Sequence, residues 1–189
     1  MTTTDITAAT LADLSGTYVL DAAHSRIGFV ARHAMVTKVR GAFNEFEGSA
    51  VVDENDFTKS SAQLTIQVAS IDTRSEQRDG HLRSNDFLDL EHFPEISFAS
   101  TGVEQTGPTS LEVTGDLSIK DVTRSVTIPF DFEGAATDPY GNLRVGFEGS
   151  VVINRKDYGI TWNAALETGG VLVSDKITLE FEISAIKSA

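Results

Sequence analysis

Alternation of apolar and polar residues runs through most of this chain from Tyr18 onward, and it leaves few folds open. Ala62, Leu64, Ile66 and Val68 alternate with Gln63, Thr65 and Gln67. Leu111, Val113, Leu117 and Ile119 share a face around Gly115. Val126, Ile128, Phe130 and Phe132 form another, followed by Leu143, Val145, Phe147, Val151 and Ile153. Ile177, Leu179, Phe181 and Ile183 close the series against Thr178, Glu180 and Glu182. Period two belongs to extended backbone, because successive side chains point to opposite faces. Turn-forming clusters separate the runs, at 53–56, 106–108, 120–121, 138–142 and 169–170. Connections that short join antiparallel neighbours. Roughly eight strands follow, and closing them into a barrel removes the two exposed edges an open sheet would keep. The expected fold is therefore all-β, an eight-stranded antiparallel barrel whose interior can hold one slender ligand. Between Phe43 and Gly48 the apolar positions switch from odd to even numbers, which predicts a bulge near Asn44.

One stretch departs from the pattern. Between Ser70 and Phe98 the chain is dense in charged, aromatic and histidine residues. Thr73 followed by Glu76 matches a capping box and predicts a helix from about Arg74 to Asp79, ended by Gly80. A second short helix is expected over His81 to Leu90, before Pro94 and a strand from Glu95. Together they read as a short helical insertion at about 73–90, a flap over one end of the barrel. Upstream, residues 1–16 read as a tail or one short helix carrying Ile6, Leu11 and Leu14, and the barrel domain as 17–189.

Charge and composition narrow the partners. Fifteen Lys and Arg against 28 Asp and Glu leave a net charge of −13, which excludes a phosphate backbone as the natural partner and an anionic membrane surface as a docking site. There is no cysteine, so disulfides, thiolate metal sites and Cys nucleophiles are excluded. The first residues contain neither a basic segment nor an apolar core of the secretory kind, so a cytoplasmic location is expected. No run approaches the ~18 consecutive apolar residues of a membrane helix, so no transmembrane segment is expected.

Candidate chemistry is sparse. The histidines are His24, His33, His81 and His92. His24 and His33 lie nine positions apart on what reads as one strand, hence on opposite faces. His81 and His92 lack helical i,i+4 spacing, so no metal site is expected. A His–carboxylate pair, such as His81 with Asp79 or Asp86, is the enzymatic alternative, with His81, Asp79 or His33 as acid–base residues on a lipid head group. No Gly-x-Ser-x-Gly elbow and no Gly-rich phosphate loop occurs. No catalytic residue and no cofactor is assigned. Arg74, Arg78 and Arg83 line the flap beside Asp72, Asp79 and Asp86, either as a solvated ion-pair surface or with one or two forks turned to the barrel mouth. The aromatic residues fit a packed core, but alternation is silent on whether they fill the interior or surround a ligand.

Several separated motifs resemble one family. They are YVLDAAHSRIGFVARH, with Asp21, His24, Ser25, Phe29 and His33; VRGAFNEFEG, with Gly41, Phe43, Phe46 and Gly48; and the 71–98 stretch, with Ile71-Asp72-Thr73, Arg78-Asp79, His81-Leu82, Ser84, Asp86-Phe87, Phe93-Pro94 and Phe98. LSIKDVTRSV follows, with Asp121 where relatives usually have glycine, and then NRKDYGITWN, with Arg155, Asp157, Tyr158, Gly159 and Trp162. In this order they are similar to the YceI-like, polyisoprenoid-binding proteins, over about Thr17 to Ala185. The resemblance implies an extended lipocalin-like barrel with a long apolar pore. It further implies non-enzymatic binding, storage or transport of an isoprenoid or fatty-chain lipid, by a protein that pairs as a homodimer. Pore or mouth candidates are Phe29, His33, Phe43, Phe46, Ile66, Arg74, Arg78, His81, Leu82, Phe87, Phe93, Phe98, Ile128, Phe130, Phe147, Tyr158 and Trp162.

Overall fold

The computed structural model describes residues 10–188. Its strands are β1 (Gly16–Leu20), β2 (Arg26–His33), β3 (Thr37–Phe43), β4 (Phe46–Val52), β5 (Ser61–Gln67), β6 (Ile71–Asp72), β7 (Glu95–Gln105), β8 (Ser110–Ile119), β9 (Val122–Thr137), β10 (Leu143–Asn154) and β11 (Lys176–Lys187). All pairings are antiparallel, in the order β1-β4-β5-β7-β8-β9-β10-β11, and β1 pairs back onto β11. Eight strands thus close a ring. From the other half of β11 the sheet continues through β2, β3 and β6. Among the described residues no helix is long and apolar enough to cross a membrane.

The three short extra strands arise because three long strands are each broken at one level. β1 pairs with residues 185–187 of β11 and β2 with residues 178–182, so β1 and β2 are successive halves of one path. Between them the Ser25 hydroxyl accepts from Ser184 N at 2.8 Å and donates to Ser184 O at 3.1 Å. A side chain there completes the ladder that the backbone leaves open. Asp21 accepts from Ala23 N and forms an ion pair with Arg144 of β10 at 2.6 Å. The Asp-x-x-His-Ser run is therefore the splice of a bent strand.

Likewise, β3 and β4 pair with β2 and β1 in turn. At Asn44 the chain turns a corner between two pairings, so the phase change is not the bulge expected there. Asn44 N donates to Ser70 O, and Gln67 N donates to Glu45 O. Register shifts occur instead at Ser100/Gly102 and at Gly146/Phe147. His24 sits in a short 3-10 turn (Ala22–His24) ahead of β2, so it does not share a strand with His33 as its spacing suggested.

β8 shows why the wall is two-faced. Leu111, Val113, Gly115, Leu117 and Ile119 are buried in strict alternation with partly or fully exposed neighbours. The turn from β8 to β9 is only Lys120-Asp121, both left-handed at φ 53° and 63°. That is the geometry of a tight primed hairpin turn, where glycine, asparagine and aspartate are favoured.

The insertion holds one helix, α1 (Glu76–Arg83), later than expected and running through Gly80. Its cap is Ser75, whose side chain accepts from Arg78 N at 3.3 Å. Thr73 is not the cap because Asp79 claims it: that carboxylate accepts from Thr73 N at 2.9 Å and from its hydroxyl at 2.5 Å. The second helix expected over 81–90 is absent, and turns occupy residues 84–92.

Two clusters form the core. The larger joins Phe43, Ile66, Phe87, Leu117, Ile128, Tyr158 and Phe181 with the flap. The smaller gathers Leu11, Leu14, Tyr18, Val103, Leu111, Val145 and Ala185 at the opposite end. Leu11 and Leu14 are 1 and 2% exposed, so residues 11–14 seal that end. Ile6 lies outside the described residues.

Candidate functional site

Inside the ring lies a cavity of about 230 Å³, reaching from Leu14 and Tyr18 at one end to Phe43 and Ile66. A second chamber of about 140 Å³ lies under the flap, walled by Leu82, Phe87 and Leu88 of the insertion and by Tyr158, Ile160 and Val173 of the loop after β10. Phe43, Ile96, Ile119 and Leu179 border both. The two chambers thus adjoin across these four side chains. Among the described residues, no Asp, Glu, Lys, Arg or His borders the main chamber.

The chamber stays hollow although phenylalanines line it, because the rings lie against glycines across the strand pairs. Phe130 sits opposite Gly149, and a β-carbon there would stand 2.6 Å from the ring. Phe98 covers Gly115, where a β-carbon would stand 2.5 Å from it. Phe29 covers its cross-strand partner Gly41 in the same way. Only glycine admits so close an approach. Each ring lies flat along the wall and leaves the axis open.

Of the residues singled out in the sequence, Phe43, Ile66, Phe98, Ile128, Phe130 and Phe147 border the main chamber. Phe29, Leu82, Phe87 and Tyr158, with Phe43 again, border the flap chamber. His33, Phe46, Arg74, Arg78, His81, Phe93 and Trp162 border neither. Phe46 is core. His33 is exposed at the end of β2. Tyr18, Leu20, Leu64, Leu117, Ile119, Phe181 and Ile183 also line the main chamber. Several of these lay on the alternating apolar faces, which was their signal. Tyr18 had none beyond its place at a strand start.

The flap's polar groups are engaged in holding it. Arg78 donates to the Thr73 hydroxyl at 2.7 Å and to Thr73 O at 2.6 Å. Arg83 donates to Ala69 O and Ile71 O. Arg74 is exposed in a left-handed backbone conformation. His81 pairs with Asp86 at 2.8 Å and stands edge-on to Trp162 and Phe87, at 4.7 and 5.0 Å between ring centres. Asp79 is taken up by Thr73 and His33 is exposed at the end of β2, whereas His81 and Asp86 do form a His–carboxylate pair, which borders neither chamber. Among the described residues no group of three or more His, Cys, Asp or Glu could hold a metal ion.

Across from the flap, Arg155 is 3% exposed. It donates to Ser174 O at 2.8 Å and to Ile160 O and Trp162 O, each at 2.9 Å. Burial lowers its pKa, partly offset by the nearby Asp175 charge. Burial also raises the phenols of Tyr158 and Tyr18, so both are neutral donors. At the strand splice, the Arg144 guanidinium holds the Asp21 carboxyl below its usual range.

The strands close an eight-stranded ring around an apolar chamber, and the YceI-like domain model matches residues 18–185. The chain belongs to the YceI-like family. Among YceI-like relatives, the UPF0312 protein SAS2572 of Staphylococcus aureus is 39% identical over 169 residues, covering 89% of this chain and 95% of its own. Burkholderia cenocepacia BcnA superposes with a TM-score of 0.76 at 25% identity, over 87% of this chain and 98% of that one. A polyisoprenoid-binding domain from Saccharophagus degradans shares the fold at a TM-score of 0.69 and 15% identity, over 90% of this chain and 98% of its own. The YceI-like motifs thus sit on the barrel's splices, corners and flap ties more than on its lumen.

Proposed function

We propose that this protein binds a long isoprenoid or similar lipid along its lumen and stores or carries it without altering it. The observation that carries this reading is a main chamber with, among the described residues, no charged residue on its wall, adjoined by a second chamber under a flap. Family membership and the polyisoprenoid-binding neighbour support it. Asp79 is tied to Thr73 and the His81–Asp86 pair borders neither chamber, which favours binding over catalysis.

The energetics favour a long chain. Each buried methylene contributes about 0.8 kcal/mol, so ten give about 8 kcal/mol. Association itself costs about 4–15 kcal/mol, which leaves a chain confined to one chamber weakly bound. A chain that also entered the flap chamber, about 140 Å³ against 230 Å³, would add roughly half that gain again. Affinity should therefore improve roughly fourfold per added carbon until the lumen is full.

Organic extraction of the purified protein, followed by mass spectrometry, should release a long-chain lipid. Ile128→Trp, which fills the main chamber without adding charge, should lose that lipid while remaining folded. Wild-type protein that is repeatedly lipid-free and takes up no long-chain probe would overturn the reading.

A further inference from the structure

Charge is spread unevenly over this chain. Residues 26–43, which span β2 and β3, hold four Lys and Arg and no Asp or Glu, within a chain of net charge −13. Register sets Arg32 opposite Lys38 and Arg40 opposite Val30, so the three exposed cations share the outer face. Phe29, Ala31 and Phe43, on the other face, line the flap chamber. Arg40 reaches Glu180 at 3.7 Å. Arg32 and Lys38 meet no carboxylate among the described residues, and like charges directly opposite across a ladder are destabilising. Exposed Lys176 adds to them, two residues past Ser174, whose hydroxyl accepts from Arg32 N at 3.0 Å. The facing loop, residues 163–173, holds one carboxylate, Glu167.

The same hairpin ends in an apolar tip. Met35 and Val36 are 61 and 75% exposed, and Val171 of the facing loop is 39% exposed. The tip is tied to the rim of the flap chamber. His33 bridges Val173, which lines that chamber, and Ala34 N donates to Leu172 O at 2.8 Å. Ala34 and Met35 are left-handed, at φ 51° and 64°, where a β-carbon is unfavourable. A turn chosen for stability would carry asparagine or glycine there. Exposed apolar side chains on a strained turn, beside unpaired cations, mark an interaction surface.

We propose that the β2–β3 hairpin docks on the surface of a phospholipid bilayer, with Met35 and Val36 entering the acyl boundary and Arg32 and Lys38 meeting lipid phosphates. Docking stands on the hairpin alone; its use, passing ligand between bilayer and flap chamber, rests on the reading that the lumen binds a lipid. Lys38 lies two extended residues behind Val36, roughly 7 Å, and apolar groups at membrane interfaces sink about 5–10 Å. A nucleic acid would neutralise the cations but leave Met35 and Val36 in water. A second copy of the chain would bring its own cations to the contact. The net charge does not oppose docking, because exposed charges more than about 8 Å away are largely screened at physiological ionic strength. The expectation that net charge bars an anionic membrane therefore fails at this hairpin.

Flotation of the full chain with vesicles tests the assignment, using phosphatidylcholine alone or with a third of phosphatidylglycerol. Wild-type protein should float with the mixed vesicles, and added salt should weaken it. Each cation near an anionic surface is worth about fivefold, so Arg32→Gln with Lys38→Gln should bind about 25-fold more weakly. Met35→Asn with Val36→Ser should bind at least about tenfold more weakly, yet melt no lower than wild type, because asparagine tolerates the left-handed turn. Val19→Ser removes a valine that is 49% exposed on β1 and should bind as wild type does. Wild-type protein that does not float, or either double variant floating undiminished, would overturn the docking. So would polyglutamate binding wild-type protein that no vesicle binds, which would assign the cations to an acidic protein. A lower melting temperature for Met35→Asn would make Met35 a packing residue and overturn its role. Lipid extracted from a wild-type protein that does not float would leave the lumen reading standing.

Discussion

Replacing Arg155 by methionine should release the loop that walls the flap chamber. The guanidinium is buried and donates to three backbone carbonyls at 2.8–2.9 Å, those of Ser174, Ile160 and Trp162. It thereby ties the loop after β10 to the start of β11. Methionine fills much of the volume but donates nothing. Each stranded carbonyl costs about 1–3 kcal/mol when it stays buried. Some recover water, because residues 167–171 of the loop are exposed, and removing a buried charge returns part of its desolvation cost. A net loss of about 3–5 kcal/mol is expected, or roughly 10 °C in melting temperature for a domain of this size. The chain's single tryptophan, Trp162, sits in the affected loop and packs against Phe87 and His81 of the flap. Urea unfolding followed by its emission reports stability, and the native spectrum reports the loop. Arg155→Lys keeps the charge but lacks the fork, so it should lose most of the same stability. A cost under about 1 kcal/mol for Arg155→Met, with an unshifted emission maximum, would refute the claim that this side chain organises the mouth.

Three further outcomes follow from the same structure. Asp79→Ala strands the Thr73 amide and hydroxyl and should cost about 2–3 kcal/mol, with hydrogen exchange faster over 73–83; unchanged protection there would contradict the role of Asp79 as the flap's tether. Gly115→Val places a β-carbon 2.5 Å from the Phe98 ring, so the ring should swing into the lumen and lower lipid uptake while the barrel stays closed. Undiminished uptake would mean that the ring does not govern the open axis. Asp138 accepts from Asn142 N and from Arg144 and is held at about 2. A carboxyl depressed in the folded state stabilises it above the unfolded value near 3.8, and that contribution fades as pH falls toward 2. The melting temperature of wild-type protein should therefore fall more steeply over that acid range than that of Asp138→Asn, and parallel curves would contradict it.

Much of the barrel was legible along the chain because its cause is local. Extended backbone turns every second side chain the same way, so Leu111, Val113, Leu117 and Ile119 declare one buried face without reference to anything distant. The same holds for Leu179, Phe181 and Ile183, and the short turns between runs make their neighbours antiparallel. Net charge and the absence of cysteine set expectations about partners by composition alone. The breaks were harder. The phase change at Asn44 was visible, but a bulge and a corner shift parity alike, and only the pairing of β3 with β2 and β4 with β1 distinguishes them. Thr73 matched a capping box locally, yet a carboxylate six residues onward, at Asp79, claimed its hydroxyl, and the helix starts after Ser75 instead.

Tertiary structure alone decided that the barrel is hollow. Phe130, Phe98 and Phe29 are bulky wherever they stand in the sequence. They leave the axis open because Gly149, Gly115 and Gly41 lie beside them across the ladder, and that pairing depends on register between distant segments. Tertiary structure likewise buried Tyr18, an ordinary residue at a strand start, in the wall of an apolar chamber. Side-chain direction is a property of the local backbone. What a side chain meets is a property of closure.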